Sequence, residues 1–150
     1  MQLDQLYQEI ILDHYKHPKG RGLREPYACE VHHVNPTCGD EITLRVLTDD
    51  EKIVDISWEG QGCSISQASA SVLHELLTGQ TVQDALAKHA SFVELIAGKG
   101  QVEPDEEVLG DGIAFAGVAK YPARVKCALL SWMAMKDAVA RAGASGMEVS

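Results

Sequence analysis

Four side chains in three separate stretches of this chain could together close a tetrahedral metal shell: Cys38, Asp40, Cys63 and Cys127. Cys38 and Asp40 stand in Asn35-Pro36-Thr37-Cys38-Gly39-Asp40. Cys63 follows Gly60-Gln61-Gly62, and Cys127 ends Arg124-Val125-Lys126-Cys127. Three sulfurs and one harder oxygen suit zinc, or iron in a cluster, far better than magnesium or calcium. Gly39 gives the backbone freedom for Cys38 and Asp40 to turn towards one point. Cys63 directly precedes a predicted helix, whose first N–H groups and positive dipole end favour a negative group.

The bare spacing is only moderately specific, because no compact Cys-x-x-Cys pair is present. A closed four-ligand set is also what a purely structural zinc site uses. Cys29 lies on a predicted strand beside Val31, with no glycine, acidic or helix-start context, and reads as a small apolar side chain. His32 and His33 are strand neighbours facing opposite sides, so at most one could reach a metal beside Cys38. His14, His17, His74 and His89 form no ligand pattern. Helical geometry points Cys127 away from the Val125, Leu129 and Trp132 stripe.

The elements that must position these groups are legible in outline. Leu3, Leu6, Tyr7, Ile10, Ile11 and His14 recur at helical spacing, so a helix should run from Leu3 to Lys16 and stop at Pro18 and Gly20. A basic loop follows, with Lys16, Lys19, Arg21 and Arg24; it reads as a dock for an acidic partner or as a solvated connector. Three strands are expected: one over Ala28–Val34, one with Ile42, Leu44 and Val46 on one face, one with Val54, Ile56 and Trp58 on one face. Thr48-Asp49-Asp50-Glu51 turns the second into the third. A helix over Ser64–Leu77 should be capped by Ser64 or Ser66, and a further one by Thr81, with a break near Ser91. Ala97–Lys120 loses periodicity and reads as a mobile insertion. Pro122 suits the first turn of a last helix ended by Gly143, with a disordered tail at 144–150. The fold class is α+β, with helices packed on a small three-stranded antiparallel sheet, in one domain over 1–150.

Composition narrows the function. Thirteen Lys and Arg against 22 Asp and Glu give a formal charge of −9, which argues against nucleic acid, since phosphate backbones call for clustered cations. No stretch approaches the roughly 18 apolar residues of a membrane span, and no signal peptide is visible. A soluble, cytoplasmic protein is expected. In a reducing compartment, widely spaced thiols are metal ligands or reactive groups rather than two disulfides.

Taken together, the motifs resemble the U-type iron–sulfur assembly family, which includes IscU and the N-terminal domain of NifU. The likeness covers nearly the whole chain. It rests on Tyr15-Lys16-His17-Pro18 closing the first helix, on Asn35-Pro36-x-Cys38-Gly39-Asp40, on Gly60-x-Gly62-Cys63-x-Ile65-Ser66-x-Ala68-Ser69, and on Lys126-Cys127-Ala128. Three departures locate the branch. Lys126 stands where the housekeeping scaffold has histidine, Tyr121-Pro122-Ala123-Arg124 holds one proline of its double-proline motif, and that scaffold lacks the 97–120 insertion. All three are similar to the SufU branch, whose members resemble zinc-dependent sulfurtransferases more than cluster scaffolds.

That resemblance implies one Zn²⁺ on Cys38, Asp40, Cys63 and Cys127. It implies a sulfurtransferase that activates a pyridoxal-phosphate cysteine desulfurase (SufS-like). A histidine of the docked desulfurase would replace Cys38 on zinc, and Cys38 would take the persulfide sulfur and relay it to a downstream SUF cluster scaffold. The alternative the family also offers is a scaffold that assembles a [2Fe–2S] cluster on the same ligands.

Overall fold

The computed structural model describes residues 2–36, 39–98, 101–103 and 105–149, and for residues 2–4 and 143–149 the backbone alone. In chain order, α1 (Gln2–Lys16) leads to β1 (Cys29–Asn35), β2 (Asp40–Asp49) and β3 (Lys52–Gln61). Then come α2 (Ser64–Leu77), α3 (Val82–Ala97), the single turn α4 (Glu106–Leu109), a 3₁₀ segment Gly110–Lys120 and α5 (Pro122–Val149). Among the described residues the strands form one antiparallel sheet in the order β1-β2-β3. This is the expected α+β architecture.

Alternation along β2 sets the inner face. Asp40, Ile42, Leu44 and Val46 are buried, while Glu41 is exposed and Thr43 and Arg45 are half-buried. Val31 pairs with Leu44, and Leu44 with Trp58, so all three share that face. The same period that buries the aliphatic residues also carries the Asp40 carboxylate inward. Helices α2 and α5 cover this face. Trp132 of α5 stacks on Phe92 of α3 at 4.2 Å between centroids, and Phe115 meets Phe92 edge-on at 5.8 Å. Burial of Phe92 and of Phe115 each contributes about 1.5–3 kcal/mol.

Several expectations change on folding. On β3, Leu47 stands opposite Asp55 and Thr48 opposite Ile53, so Val54 has no residue across from it. That bulge shifts the alternation by one: Val54 is 46% exposed, and Ile53 takes the core position. The cap of α2 is Cys63 rather than Ser64 or Ser66. Thr81 caps α3 as expected, accepting the Asp84 N–H at 3.0 Å, and no break occurs at Ser91.

The 97–120 segment is not a mobile loop over its described residues. Leu109, Gly112, Phe115 and Val118 are buried at intervals of three, which is the 3₁₀ repeat, and a search at 3.6 residues per turn passes over it. Helix α5 runs on through Gly143 to Val149, because a glycine within a helix costs only about 1 kcal/mol and does not by itself end it.

Three of the four basic loop residues pair with acidic groups of the body while staying nearly half exposed. Arg21 pairs with Glu59, Lys19 with Glu75, and Arg24 clamps Asp55 through two nitrogens at 2.7 and 3.0 Å. Hydrogen bonding from Arg24 holds the Asp55 carboxyl below the usual carboxylate range. Its stabilisation is therefore present above the ordinary carboxylate pKa and lost as pH falls through the lower folded value.

Asp49 pairs with Lys52, leaving Asp50 and Glu51 as a two-residue turn with φ of 52° and 68°. Positive φ at both positions matches strand twist, but a glutamate there is strained. Glu51→Gly should raise stability by about 1 kcal/mol. The expected readout is a higher urea midpoint at unchanged m value; a lower midpoint would contradict the turn assignment.

Candidate metal centre

Three elements deliver one group each to a common point. Asp40 opens β2, Cys63 caps α2 and Cys127 lies in the second turn of α5. One carboxylate oxygen of Asp40 and the two sulfurs all lie within 4.8 Å of one another. Cys63 Sγ is 4.0 Å from Asp40 Oδ2. A sulfur and an oxygen on adjacent corners of a tetrahedral zinc ion lie about 3.5 Å apart, so the Cys63–Asp40 pair would need about half an ångström of closure.

Asp40 is fully buried and Cys127 is 2% exposed. A carboxylate buried to this degree is costly unless it meets donors or a cation. Its Oδ1 accepts the Cys63 N–H at 3.0 Å; a divalent ion would supply the remaining compensation. The residues present therefore fit zinc in donor type, spacing and charge. Cys38 lies outside the described residues. Its described neighbours Pro36 and Gly39 are exposed, and Gly39 has a φ of +74°.

The burial of Cys127 departs from the expectation that it points away from packed surface. Helix α5 is covered by the sheet and α2 on one side and by α3 and the 3₁₀ segment on another, so its buried sector is wider than one stripe. Cys29 sits at the far end of β1, about 20 Å from the Asn35 end at strand rise. Burial pushes its thiol up, as fits a side chain without a ligand role. His33 bonds Asp137 at 2.9 Å and His32 bonds Thr43 at 2.9 Å, so both histidines have partners elsewhere. Lys126, just before Cys127, is exposed.

Ser69, Ser66 and Gly62, quoted above only as motif residues, prove to position the centre. Ser69 donates to the Ala128 carbonyl at 2.6 Å and accepts the Trp132 indole N–H at 3.0 Å. It thereby locks α2, which carries Cys63, against the turn of α5 that carries Cys127. Ser66 donates to the Cys63 carbonyl at 3.0 Å. Gly62 has a φ of +149°, and a Cβ there would run into the Asp40 carboxylate and Ser66 Oγ. Their setting is a helix in which Ser66 to Leu73 are all buried although six of these eight residues are polar or small. A cleft of about 500 Å³ is lined in part by Ser64, next to Cys63 in sequence, and by Arg124, three residues before Cys127.

The sequence model described as NifU-like N terminal domain matches residues 6–128. The chain belongs to this family. Family membership accounts for the order of the cysteine motifs and for the sheet with helices across one face. The chain is 43% identical to the "Zinc-dependent sulfurtransferase SufU" of Bacillus subtilis, over 93% of this chain and 92% of that protein. It is 41% identical to the "Iron-sulfur cluster assembly scaffold protein IscU" of Streptococcus pyogenes, over 93% and 86%. A crystal structure of a candidate SUF-system assembly scaffold from Fervidobacterium islandicum superposes with a TM-score of 0.80 at 43% identity, covering 87% of this chain and 94% of that one. Two points of identity do not separate a transferase from a scaffold; the residues of the centre must do so. Among the described residues, no helix is long and apolar enough to cross a membrane.

Gly62→Ala should weaken Zn²⁺ binding by at least tenfold without removing a ligand, because the new methyl displaces the Asp40 carboxylate. Competition against a chromogenic chelator measures this, with Cys29→Ala as a control that should leave affinity unchanged. Equal affinity in Gly62→Ala would contradict the close packing of Asp40.

Proposed function

We propose that this chain is a zinc-dependent sulfurtransferase of iron–sulfur cluster assembly, which accepts sulfur from the persulfide of a pyridoxal-phosphate cysteine desulfurase and passes it to SUF-type assembly in the cytoplasm. The observation that supports this most is the convergence of the Asp40 carboxylate with the Cys63 and Cys127 sulfurs at one buried point. Cys38 would be the fourth member. It lies two residues from Asp40, so its Cα is within about 7 Å of that of Asp40 by chain length alone. Zinc held by these four residues would keep their sulfurs as thiolates without redox chemistry of its own.

Cys38 is the group suited to transfer. Cys63 is fixed by its N–H bond to Asp40 and by Ser66 on its carbonyl. Cys127 is buried in α5. Cys38 belongs to the short connection between Asn35 and Asp40, beside the conformationally free Gly39. In the transfer its thiolate attacks the outer sulfur of the desulfurase persulfide. A new S–S bond forms to Cys38, the bond from that sulfur to the desulfurase cysteine breaks, and the desulfurase cysteine leaves as thiolate. The sulfane sulfur moves with its oxidation state intact, so no external oxidant is needed.

The scaffold reading has its own support in the names of the Streptococcus and Fervidobacterium relatives. Exposed Lys126, standing where the housekeeping scaffold has histidine, favours transfer. Purified protein should be colourless and carry zinc at the thiolate centre; a brown protein with iron and sulfide would favour the scaffold.

Cysteine turnover by the cognate desulfurase should rise at least tenfold on adding this protein. Cys38→Ala should abolish that rise while circular dichroism remains native. Full stimulation by Cys38→Ala would overturn the role given to Cys38.

A further inference from the structure

A second cluster of ligand-type side chains lies away from the thiolate centre and shares no residue with it. His14, near the end of α1, is 3% exposed. Its Nδ1 is 2.7 Å from Ser71 Oγ on α2, and its Nε2 is 2.9 Å from Asp111 Oδ2 on the 3₁₀ segment. Glu75, four residues beyond Ser71 and so one turn further along the same face of α2, adds a second carboxylate. A ring nitrogen of His14 and oxygens of Glu75 and Asp111 all lie within 4.8 Å of one another.

We propose that His14, Glu75 and Asp111 form a second divalent-metal site, built from one nitrogen and two oxygens and suited to a transition ion of the zinc class. The imidazole has the support that a metal-ligating histidine receives: one nitrogen is anchored by a fixed polar partner while the other faces the carboxylates. Ser71 Oγ already accepts the Lys19 backbone N–H at 2.8 Å. When it also accepts the Nδ1 proton of a neutral His14, Nε2 turns a lone pair towards a carboxylate oxygen 2.9 Å away. In the metal-free chain the same 2.9 Å is met by the other tautomer, with Ser71 donating to Nδ1 and Nε2–H donating to Asp111, so an ion at Nε2 would displace one proton. Neighbouring ligands on a six-coordinate ion with bonds of about 2.0–2.1 Å are about 2.9 Å apart, the spacing of Nε2 and Asp111 Oδ2, while the Glu75 oxygen lies within 4.8 Å of both.

The charge balance agrees. Both carboxylates sit on a chain with a formal charge of −9. Lys19 Nζ approaches Glu75 only to 3.8 Å, with both side chains nearly half exposed, and such a pair is easily given up. The donor set contains no thiolate, so it selects ions differently from the first centre. Three protein ligands leave positions open to water, as in exchangeable sites. A bound ion would join α1, α2 and the 3₁₀ segment, three elements far apart in sequence.

The test uses the full chain with its thiolate centre first saturated with Zn²⁺, then titrated with Co²⁺. Wild type should take up one further equivalent, with weak visible bands and none of the near-ultraviolet thiolate-to-cobalt absorption. The absence of that absorption keeps the result separate from any failure of the thiolate centre. His14 is buried and its replacement can unfold the chain, so the variants are Glu75→Gln and Asp111→Asn, whose side chains are partly exposed. Each should weaken the second equivalent at least tenfold. Absence of a second equivalent in wild type, or unchanged affinity in the double variant, would overturn the site and leave a simple His14–Asp111 ion pair.

Discussion

A carboxylate sealed inside the protein is the constraint on which the rest turns. Asp40 occupies an inward position of β2, in register with Ile42, Leu44 and Val46, and has no access to solvent. The hydrophobic face that drives folding thus carries an ionisable group at its end, and that group must find compensation where it stands. One donor comes from the capping residue of α2, and the sulfurs of Cys63 and Cys127 close around the same point. The centre is therefore a continuation of the core rather than a feature added to its surface.

Rigidity in this arrangement is unevenly distributed. Ser69 couples α2 to α5 through two hydrogen bonds, and the stack of Phe92 on Trp132 fixes α5 from the other side. The Cys63 and Cys127 sulfurs are thus held by elements that cannot move independently. The connection between β1 and β2 is closed by the Gly39 N–H on the Asn35 carbonyl at 2.9 Å, and its described residues Pro36 and Gly39 are exposed.

The features legible in the chain beforehand share one property: they are local. Period-two alternation revealed the inner face of β2, the polar run 48–51 revealed the hairpin, and Thr81 marked the start of α3. Glycine beside Cys38 and before Cys63 marked where backbone freedom was needed. The family resemblance brought the cysteine contexts into one site, and the match to residues 6–128 agrees with it. Errors arose where a local rule met a neighbour. The bulge at Val54 turned that residue out and put Ile53 in its place, while Ile56 and Trp58 kept the expected face, and a three-residue repeat hid the packing of Leu109, Phe115 and Val118.

Which chemistry the chain is equipped for, and on which side of β2 its carboxylate must lie, follow from residue type and from strand period, both of which are fixed by covalent structure. Which groups meet is another matter, because contact across 20 to 100 residues depends on how helices settle on the sheet. Cys127 became buried and Ser69 a link between helices only once α5 had been placed. His14 formed no pattern along the chain, yet it lies beside Glu75 and Asp111, since α1, α2 and the 3₁₀ segment meet there. Packing brings together what sequence separation conceals.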